Sequence, residues 1–321
     1  MVRYLALKKE TEYGTHVTPD KFIDIVSESI AYRNNVIYVE NVNTVDFLKQ
    51  VAGPYGIAGD FDLKIEPENI GHILLGLFGQ VTSEQQGETS AYKHTFKPIG
   101  EDTELPSFTF EVGIGAITAR RIAGCKIRRL SLSCAAGDLL LGSVTLVGKK
   151  DAIEDLQTPS FSALPPFAWN QATVTRAGST IKPTAVEVNY ENILSEDEYR
   201  LSTDRTIQEL PWLSRRISGR IDLKFANTDD LKLFYGAAAA TEPQETIETV
   251  ALNLKFVSAL IEAAYYYTLE LDIPRVVYDI ANANVNVRDK IIQSIEWTAL
   301  YDATATYAAK AELTNKVTSY S

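Results

Sequence analysis

A chain of 321 residues with 45% hydrophobic residues is long and apolar enough to bury the cores of about two folded domains, which excludes a disordered chain. The net charge of −11 argues against a surface that grips nucleic acid, because phosphate binding requires a basic footprint. No apolar run reaches the roughly 20 residues of a membrane-spanning helix, and charges interrupt the first residues where a signal peptide would be apolar. We therefore expect a protein that folds in a cytoplasm and does not enter a membrane.

Alternation of apolar and polar residues predicts a mainly β protein with short helices. The alternating segments are residues 22–30, 60–66, 108–112, 127–134, 143–147, 184–188, 220–225, 250–256, 265–273 and 291–299. In residues 60–66 the polar and apolar side chains alternate strictly, so one face of this strand is expected to meet a core and the other to meet water.

One short helix is expected in each half of the chain. Pro67 suits a first helical turn, and the apolar residues of 70–78 recur at helical spacing before Gly79. In the second half Asn227 is a candidate N-cap, and Gly236 follows the apolar residues of 231–235.

The sequence contains an approximate internal repeat. GDFDLKI at residues 59–65 returns as GRIDLKF at residues 219–225, 160 residues later, and a predicted helix follows each copy. We also align FTFEV at 108–112 with YTLEL at 267–271, and KI at 126–127 with KI at 290–291. The repeat predicts two copies of one domain in one polypeptide.

A proline-containing segment divides the chain almost in half. Pro159, Pro165 and Pro166 lie in residues 151–166. We therefore predict a first domain at residues 1–150, a linker at 151–166 and a second domain at 167–321.

Each half also contains a long connection, residues 33–56 and residues 195–217, with more large apolar side chains than a solvent loop needs. Loops of this length without structure of their own usually have a function. Two interpretations stay open: the connections fold back onto their own domain as extended hairpins, or they contact a partner.

Residues that carry catalytic chemistry do not form a recognisable set, and we expect no enzyme. Gly113 and Gly115 begin like a dinucleotide-binding loop, but Thr118 stands where the third glycine is required. Residues 142–150 have the wrong spacing for a phosphate-binding loop. Neighbouring carboxylates such as Asp229 and Asp230 suit a helix N-terminus better than the paired acids of a glycosidase.

A metal site or another cofactor is not expected either. Cys125 and Cys134 are nine positions apart in one predicted strand, which places them beyond disulfide reach and, if the strand is continuous, on opposite faces. We interpret both as small buried hydrophobic residues. The histidines, His16, His72 and His94, are scattered and show no metal-ligand spacing.

Ten segments of ordinary β sequence become specific through their order and spacing. They are RYLALKKETEYGT (3–15), SESI (27–30), VAGPYGIAGDFDLKIEPENIGHILLGLFG (51–79), YKHTFKP (92–98), LPSFTFEVG (105–113), GCKIRRLSLS (124–133), FAWNQATVT (167–175), IPRVVYDIANANV (273–285), RDKIIQSIEWTALYD (288–302) and ELTNKVTSY (312–320). Over nearly its whole length the chain resembles the tail tube proteins, also called major tail proteins, of tailed bacteriophages, in the form with a duplicated tube domain.

The resemblance implies a structural virion protein and no catalysis. It implies tandem β-sandwich or partial-barrel domains, each flanked by a helix, whose sheets join edge to edge between subunits. Three duplicated chains are then expected to form one ring with pseudo-sixfold symmetry, and stacked rings to form a tube that conducts viral DNA during ejection. The implied partners are other copies of the chain and other tail proteins such as the tape measure, tail tip and terminator. The implied location is the virion tail, with assembly in the host cytoplasm.

The resemblance also gives the acidic residues and the long loops candidate roles. A lumen that lets double-stranded DNA pass without tight binding should be acidic or polar. Our lumen candidates are Asp60, Asp62, Asp222 and Glu296, with Lys64 and Lys224 on the same predicted faces. Our candidates for contacts between stacked rings are aromatic residues of the long loops, namely Tyr38, Phe47, Tyr199 and Trp212.

A two-domain β-sandwich adhesin or carbohydrate-binding module is the alternative. The aromatic run at residues 265–267 could stack on sugars, although in an alternating strand such a run usually packs one face into the core. This alternative predicts a monomer, a secretion signal or a clear ligand cleft, and aromatic residues grouped on one exposed face.

Overall fold

Strands dominate the computed structural model, which describes residues 3–202, 204–285 and 290–320. The strands of the first half are β1 (Tyr4–Lys9), β2 (Lys21–Ile23), β3 (Ile25–Glu28), β4 (Ala31–Arg33), β5 (Ile37–Val39), β6 (Lys49–Val51), β7 (Gly56–Lys64), β8 (Gly79–Gln85), β9 (Tyr92–Pro98), β10 (Phe108–Ile114), β11 (Thr118–Ala135), β12 (Leu141–Gly148) and β13 (Lys150–Glu154). Those of the second half are β14 (Ala172–Arg176), β15 (Ser179–Ile181), β16 (Ala185–Leu194), β17 (Trp212–Lys224), β18 (Val250–Glu262), β19 (Tyr265–Ala283), β20 (Ile292–Ala299) and β21 (Lys310–Asn315).

Two short α-helices accompany these strands in the described residues, together with a 3₁₀ turn at Trp169–Gln171. The helices are α1 (Ile70–Phe78) and α2 (Asp229–Tyr235). A glycine ends each of them as predicted, Gly79 with φ of 91° and Gly236 with φ of 119°, which are left-handed values that glycine adopts without strain. The predicted mainly β fold with short helices is confirmed.

Strand β7 shows how the sequence sets the two faces of a sheet. Phe61 and Leu63 are buried in the core, whereas Asp62 and Lys64 between and after them are exposed. Burial of the two apolar side chains stabilises the strand by about 1.5–3 kcal/mol each, and a register shift by one residue would expose both.

One antiparallel sheet runs through both halves, and we call it the long sheet. Its strands lie in the order β3 with β4, β7, β12, the second part of β11 (residues 126–135), β16, β17, β20 and the second part of β19 (residues 276–283). The first parts of β11 and β19 extend beyond it and pair with β10 and β13 and with β18 and β21. Buried side chains from both halves form one continuous hydrophobic cluster.

The two halves pair their strands in the same order. In the first half β1 pairs with β2 and β10, β11 with β10, β12 and β13, and β7 with β3 and β12. In the second half β14 pairs with β15 and β18, β19 with β18, β20 and β21, and β17 with β16 and β20. Irregularities also recur, since the shift between Phe108 and Phe110 has a counterpart between Val250 and Leu252. The agreement supports the predicted duplication, which stays a prediction.

The pairing order contradicts two of the correspondences that the sequence suggested. The GDFDLKI and GRIDLKF segments do lie in equivalent strands, β7 and β17. However, residues 108–112 form β10, whose counterpart in the pairing order is β18, while residues 267–271 lie in β19. Residues 126–127 lie in β11, whereas residues 290–291 precede β20. Alternating strands resemble one another, so local similarity aligned strands that are not equivalent.

The two halves meet along β11 and β16, a ladder that we call the internal joint. It runs from Arg129 opposite Glu191 to Ala135 opposite Ala185. A second ladder joins β9 to β21. Strand β9 belongs to the hairpin β8–β9, which has no counterpart among the described residues of the second half, where residues 237–249 connect α2 to β18 without a strand.

The predicted linker, residues 151–166, is packed along the first half. It begins within β13, which pairs with β11. Further on, the Gln157 backbone N–H donates to the Tyr4 hydroxyl at 2.9 Å, and the Phe167 N–H donates to the Ile65 carbonyl at 2.9 Å. The predicted domain boundaries stay a prediction.

Both cysteines are buried and reduced, but they do not alternate as predicted. Cys125 and Cys134 both lie in the core, although an odd spacing should separate them onto opposite faces. The reason is a bulge between Ile127 and Arg129, which inserts one residue and reverses the alternation along β11.

The Glu66 carboxyl, just after β7, makes stability depend on pH. Burial, reinforced by Asp24 and Glu68, raises its pKa to about 7, and Asn69 Nδ2 donates to it at 2.7 Å. Between about pH 4.5 and pH 7 the folded chain therefore keeps a proton that the unfolded chain releases. The free energy of unfolding falls as the pH rises through this range.

We expect Glu66→Gln to raise the melting temperature at about pH 8 and to change it little near pH 4.5. At pH 8 the gain in the free energy of unfolding is roughly 1 kcal/mol once solvent screening is allowed for. Thermal unfolding followed by circular dichroism at both pH values measures this difference. An equal shift at both pH values would contradict the assignment.

Candidate functional site

The four acidic candidates from the sequence lie on a single face of the long sheet. Asp60 and Asp62 project from β7, Asp222 from β17 and Glu296 from β20. Their rows are continuous across the strands, which are antiparallel neighbours with defined register. One row contains Asp60, Thr145, Arg129, Glu191 and Arg216, the next Asp62, Ser143, Ser131, Asn189, Ser218 and Thr298, and a third Lys64, Leu141, Ser133, Glu187, Arg220 and Glu296. We call this surface the polar face.

Hydroxyl groups and guanidinium groups hold the acids of the polar face in place. Ser27 Oγ donates to Asp62 at 2.6 Å, and this hydrogen bond, with one from Ser143, lowers the pKa of Asp62. Ser294 Oγ donates to Asp222 at 2.6 Å. Asp60 accepts a hydrogen bond from Thr145 Oγ1.

The polar face is mixed in charge rather than purely acidic. Arg129 Nη2 lies 3.8 Å from the Asp60 carboxylate, and Arg220 Nη2 lies 3.2 Å from Asp222. A groove of about 450 Å³ crosses the internal joint on this face. Serine, asparagine, glutamate and arginine side chains line the groove, so its wall is hydrophilic. Of its two arginines, Arg129 lies beside Asp60, and Arg216 lies opposite Glu191 in the strand register.

The long sheet ends in two open edges. At one end β3 and β4 pair with β7 alone, and at the other end the second part of β19 pairs with β20, so the outer side of each has no strand partner within the described residues. Open edges invite pairing with another chain, because they present a row of unpaired backbone N–H and C=O groups.

These open edges are the counterparts of the two strands that meet at the internal joint. In the repeated pairing order β3 with β4 corresponds to β16, and the second part of β19 corresponds to that of β11. The bulge between Tyr278 and Ile280 matches that between Ile127 and Arg129. Each half therefore has two different edges. At the internal joint one edge of the first half, β11, pairs with the other kind of edge of the second half, β16, which leaves β3 with β4 and the second part of β19 for pairing between chains.

The second long loop, residues 195–211, packs onto the first half rather than onto its own half. Ile207 and Leu210 are buried with Ile99, Leu105 and Val147 in a separate hydrophobic cluster. Of the predicted loop aromatics, the Tyr199 hydroxyl lies 3.5 Å from the Tyr55 carbonyl, and Trp212 Nε1 donates to the Thr103 carbonyl at 2.8 Å. Both side chains therefore make contacts within the chain.

The first long loop, residues 34–54, is a hairpin built on β5 and β6, and we call it the arm. Tyr38 and Phe47 pack against each other on it, with ring centroids 5.3 Å apart, and both are largely exposed. The other exposed apolar residues of the arm are Val36, Ile37, Val42, Val45, Leu48 and Val51. So many exposed apolar side chains on one element indicate a contact surface.

Sequence reasoning found the acids and the loop aromatics but did not identify which strands form the open edges. The only sequence signal for them was the repeat itself, because an edge is defined by which strands pair and not by the residues of one strand. Among the described residues no group of three or more potential metal ligands occurs, and no helix is long and apolar enough to cross a membrane. Of the aromatic run at 265–267, Tyr267 is buried and Tyr266 exposed, as an alternating strand requires.

Comparison with known proteins gives the family. No curated protein sequence matches the chain. A family model described as phage tail tube protein matches residues 2–299, which is most of the chain. The mainly β fold with its antiparallel sheets agrees with this match. The chain therefore belongs to the phage tail tube protein family, whose members are structural proteins of the virion tail.

Proposed function

We propose that three copies of this tail tube protein close into a ring through the open edges of the long sheet, and that stacked rings form the tube through which viral DNA is ejected. The observation that carries the proposal is the match between the two open edges and the two strands of the internal joint. A contact that joins two different edges head to tail repeats until the rotation closes. Six tube domains from three duplicated chains would make the ring pseudo-sixfold.

The polar face suits the inner wall of such a tube. If the long sheets of neighbouring chains are continuous, the polar face is the hydrophilic side of one closed wall. DNA binds tightly where Lys and Arg are free to neutralise phosphates, but Arg129 and Arg220 stand beside Asp60 and Asp222. We therefore propose that Asp60, Asp62, Asp222 and Glu296 line a lumen along which DNA moves without being held.

The remaining partners follow from the same role. Other copies of the chain, and tail proteins such as the tape measure, the tip and the terminator, would contact the ring during assembly in the host cytoplasm. Contacts between stacked rings through the long loops stay a prediction. Tyr199 and Trp212 are engaged inside the chain, so Tyr38 and Phe47 on the arm are the loop aromatics left for another chain.

The test is to measure the mass and shape of the purified protein over a range of concentrations. We expect sedimentation and native mass spectrometry to give a species of three chains, and negative-stain microscopy to show hollow rings and, at high concentration, tubes. A protein that stays monomeric at every concentration and binds immobilised glycans would contradict the proposal and support the carbohydrate-binding alternative.

A further inference from the structure

The second loop has a defined seat on the first half. Ile207 is only 3% exposed, and it shares a buried cluster with Leu105 and Val147 of the first half. Backbone groups fix the loop as well, since the Tyr55 N–H donates to the Arg205 carbonyl at 2.8 Å. The Arg205 guanidinium in turn donates to the Gly53 carbonyl at 3.0 Å.

The repeated pairing order gives this contact a counterpart that is empty within one chain. Gly59 and Gly219 occupy equivalent positions in β7 and β17. Phe47 on the arm and Ile207 on the second loop each lie 12 residues before that glycine, so Phe47 is the counterpart of Ile207. Counting from equivalent strand positions, Ile247 takes the place of Leu105 and Thr298 the place of Val147.

Exposure differs sharply between the filled seat and its counterpart. Phe47 is 59% exposed where Ile207 is 3% exposed, and Ile247 is 52% exposed where Leu105 is 2% exposed. Both sides of the missing contact are therefore apolar and open to solvent. Other exposed apolar residues at this end of the second half include Leu213, Leu300 and Tyr301.

The counterpart seat is held together by local contacts. Arg275 Nε lies 3.5 Å from Thr249 Oγ1, two residues after Ile247, and Arg275 Nη1 donates to the Tyr301 carbonyl at 3.2 Å. The Leu300 N–H donates to the Arg275 carbonyl at 2.9 Å. Through Arg275 these bonds connect Thr249 with residues 300–301.

We propose that the arm of one chain folds over the second half of the next chain in the same ring, with Phe47 seated beside Ile247 and Thr298 of that neighbour. The proposal rests on the proposed ring and names the occupant of its apolar surface, a second copy of this chain. The arm then packs on a neighbouring chain as the second loop packs on the first half of its own chain. The exposed apolar surfaces of the arm and of the neighbour's second half are buried in one contact. We call this contact the clasp. It lies inside one ring, so for Phe47 it replaces the predicted role in contacts between stacked rings.

Disulfide trapping tests this placement. The variant carries Phe47→Cys and Thr298→Cys, and Cys125 and Cys134 are kept because both native thiols are buried. Isolated rings are oxidised before tubes form and run on a non-reducing gel. We expect covalent dimers and trimers from the double variant and monomers from each single variant. The control pairs Phe47→Cys with Ile117→Cys, an exposed position in the turn between β10 and β11, and should give no covalent trimers.

The possible outcomes separate the clasp from the ring. Rings that form normally but link through Phe47→Cys only after tubes assemble would place the arm between rings and overturn the clasp, while the ring stands. A link inside one chain would overturn it as well. Absence of any ring in the unmodified protein would instead contradict the proposed function.

A substitution at the same site gives a second measurement. Phe47→Ser removes the phenyl group from the proposed contact, so we expect the trimeric rings to dissociate at a concentration roughly tenfold higher. The free energy of unfolding of the monomer should not change, because Phe47 is exposed there. Val42→Ser, which changes a fully exposed apolar residue of the arm outside the proposed contact, is the control and should leave dissociation unchanged. Equal effects of the two substitutions would contradict the clasp.

Discussion

Replacing Ile280 with lysine is expected to weaken the ring strongly while the monomer stays folded. At the internal joint Arg129 lies opposite Glu191. The equivalent residues of the open edges are Ile280 and Arg33, so Ile280→Lys would set two positive charges opposite each other at every joint between chains. Like charges directly opposite cost about 1 kcal/mol per joint, so a ring with three such joints is weakened by roughly 3 kcal/mol.

The monomer should tolerate this change because Ile280 is 37% exposed on an open edge. Sedimentation velocity and negative-stain microscopy measure the ring, and circular dichroism measures folding of the monomer. Ile280→Gln is the matched control, because it sets an uncharged polar side chain opposite Arg33 and should preserve the rings. Combining Ile280→Lys with Arg33→Glu should restore them. Rings that are indifferent to all of these changes would show that this register between chains is wrong.

Replacing Tyr320 with alanine is expected to lower the free energy of unfolding by about 3–5 kcal/mol. Tyr320 is 1% exposed, and its ring lies edge-on to His72 and His94, with centroid distances of 4.8 and 4.7 Å. Its hydroxyl donates to the Glu68 carbonyl at 2.9 Å and accepts from Asn315 Nδ2 at 2.6 Å. The side chain thus ties the segment after β21 to the first half.

The ring of Tyr320 also lies directly on α1. A methyl group added to Gly71 would collide with that ring, so Gly71 is the residue that lets the helix approach it. Urea denaturation measures the loss in Tyr320→Ala. Tyr320→Phe is the control, because it keeps the packing and loses only the hydroxyl contacts, at an expected cost of about 1–2 kcal/mol. A loss below about 1 kcal/mol in the alanine variant would contradict this role of the segment.

Local signals in the sequence predicted the local structure well. The alternation of residues 60–66, the helical spacing of residues 70–78 and the glycines at 79 and 236 act within a few residues of one another. Each of them therefore fixes a strand face or a helix end without knowledge of the rest of the chain. Alternation also fixed the side of its own strand on which each acid of β7, β17 and β20 lies. These acids share a face because their strands lie in one sheet.

Features that depend on partner choice could not be predicted in this way. The segments at 108–112 and 267–271 look alike, yet they are different strands of the repeat, because any half-buried strand alternates in the same way. The bulge after Ile127 reversed the predicted sides of the cysteines, and no residue type requires a bulge there. The two long loops are similar in composition, but it is the second that packs against the other half of its own chain.

The hairpin β8–β9 makes the two halves mechanically unequal. Through β9 and β21 it adds a second ladder to the one at the internal joint, so the connection inside a chain is fastened twice. The described residues of the second half contain no such hairpin for β13 of a neighbouring chain, although β13 is the counterpart of β21. Under force, the proposed ring would therefore separate between chains and leave the two halves of each chain joined. Each released chain is then a unit from which the ring can form again.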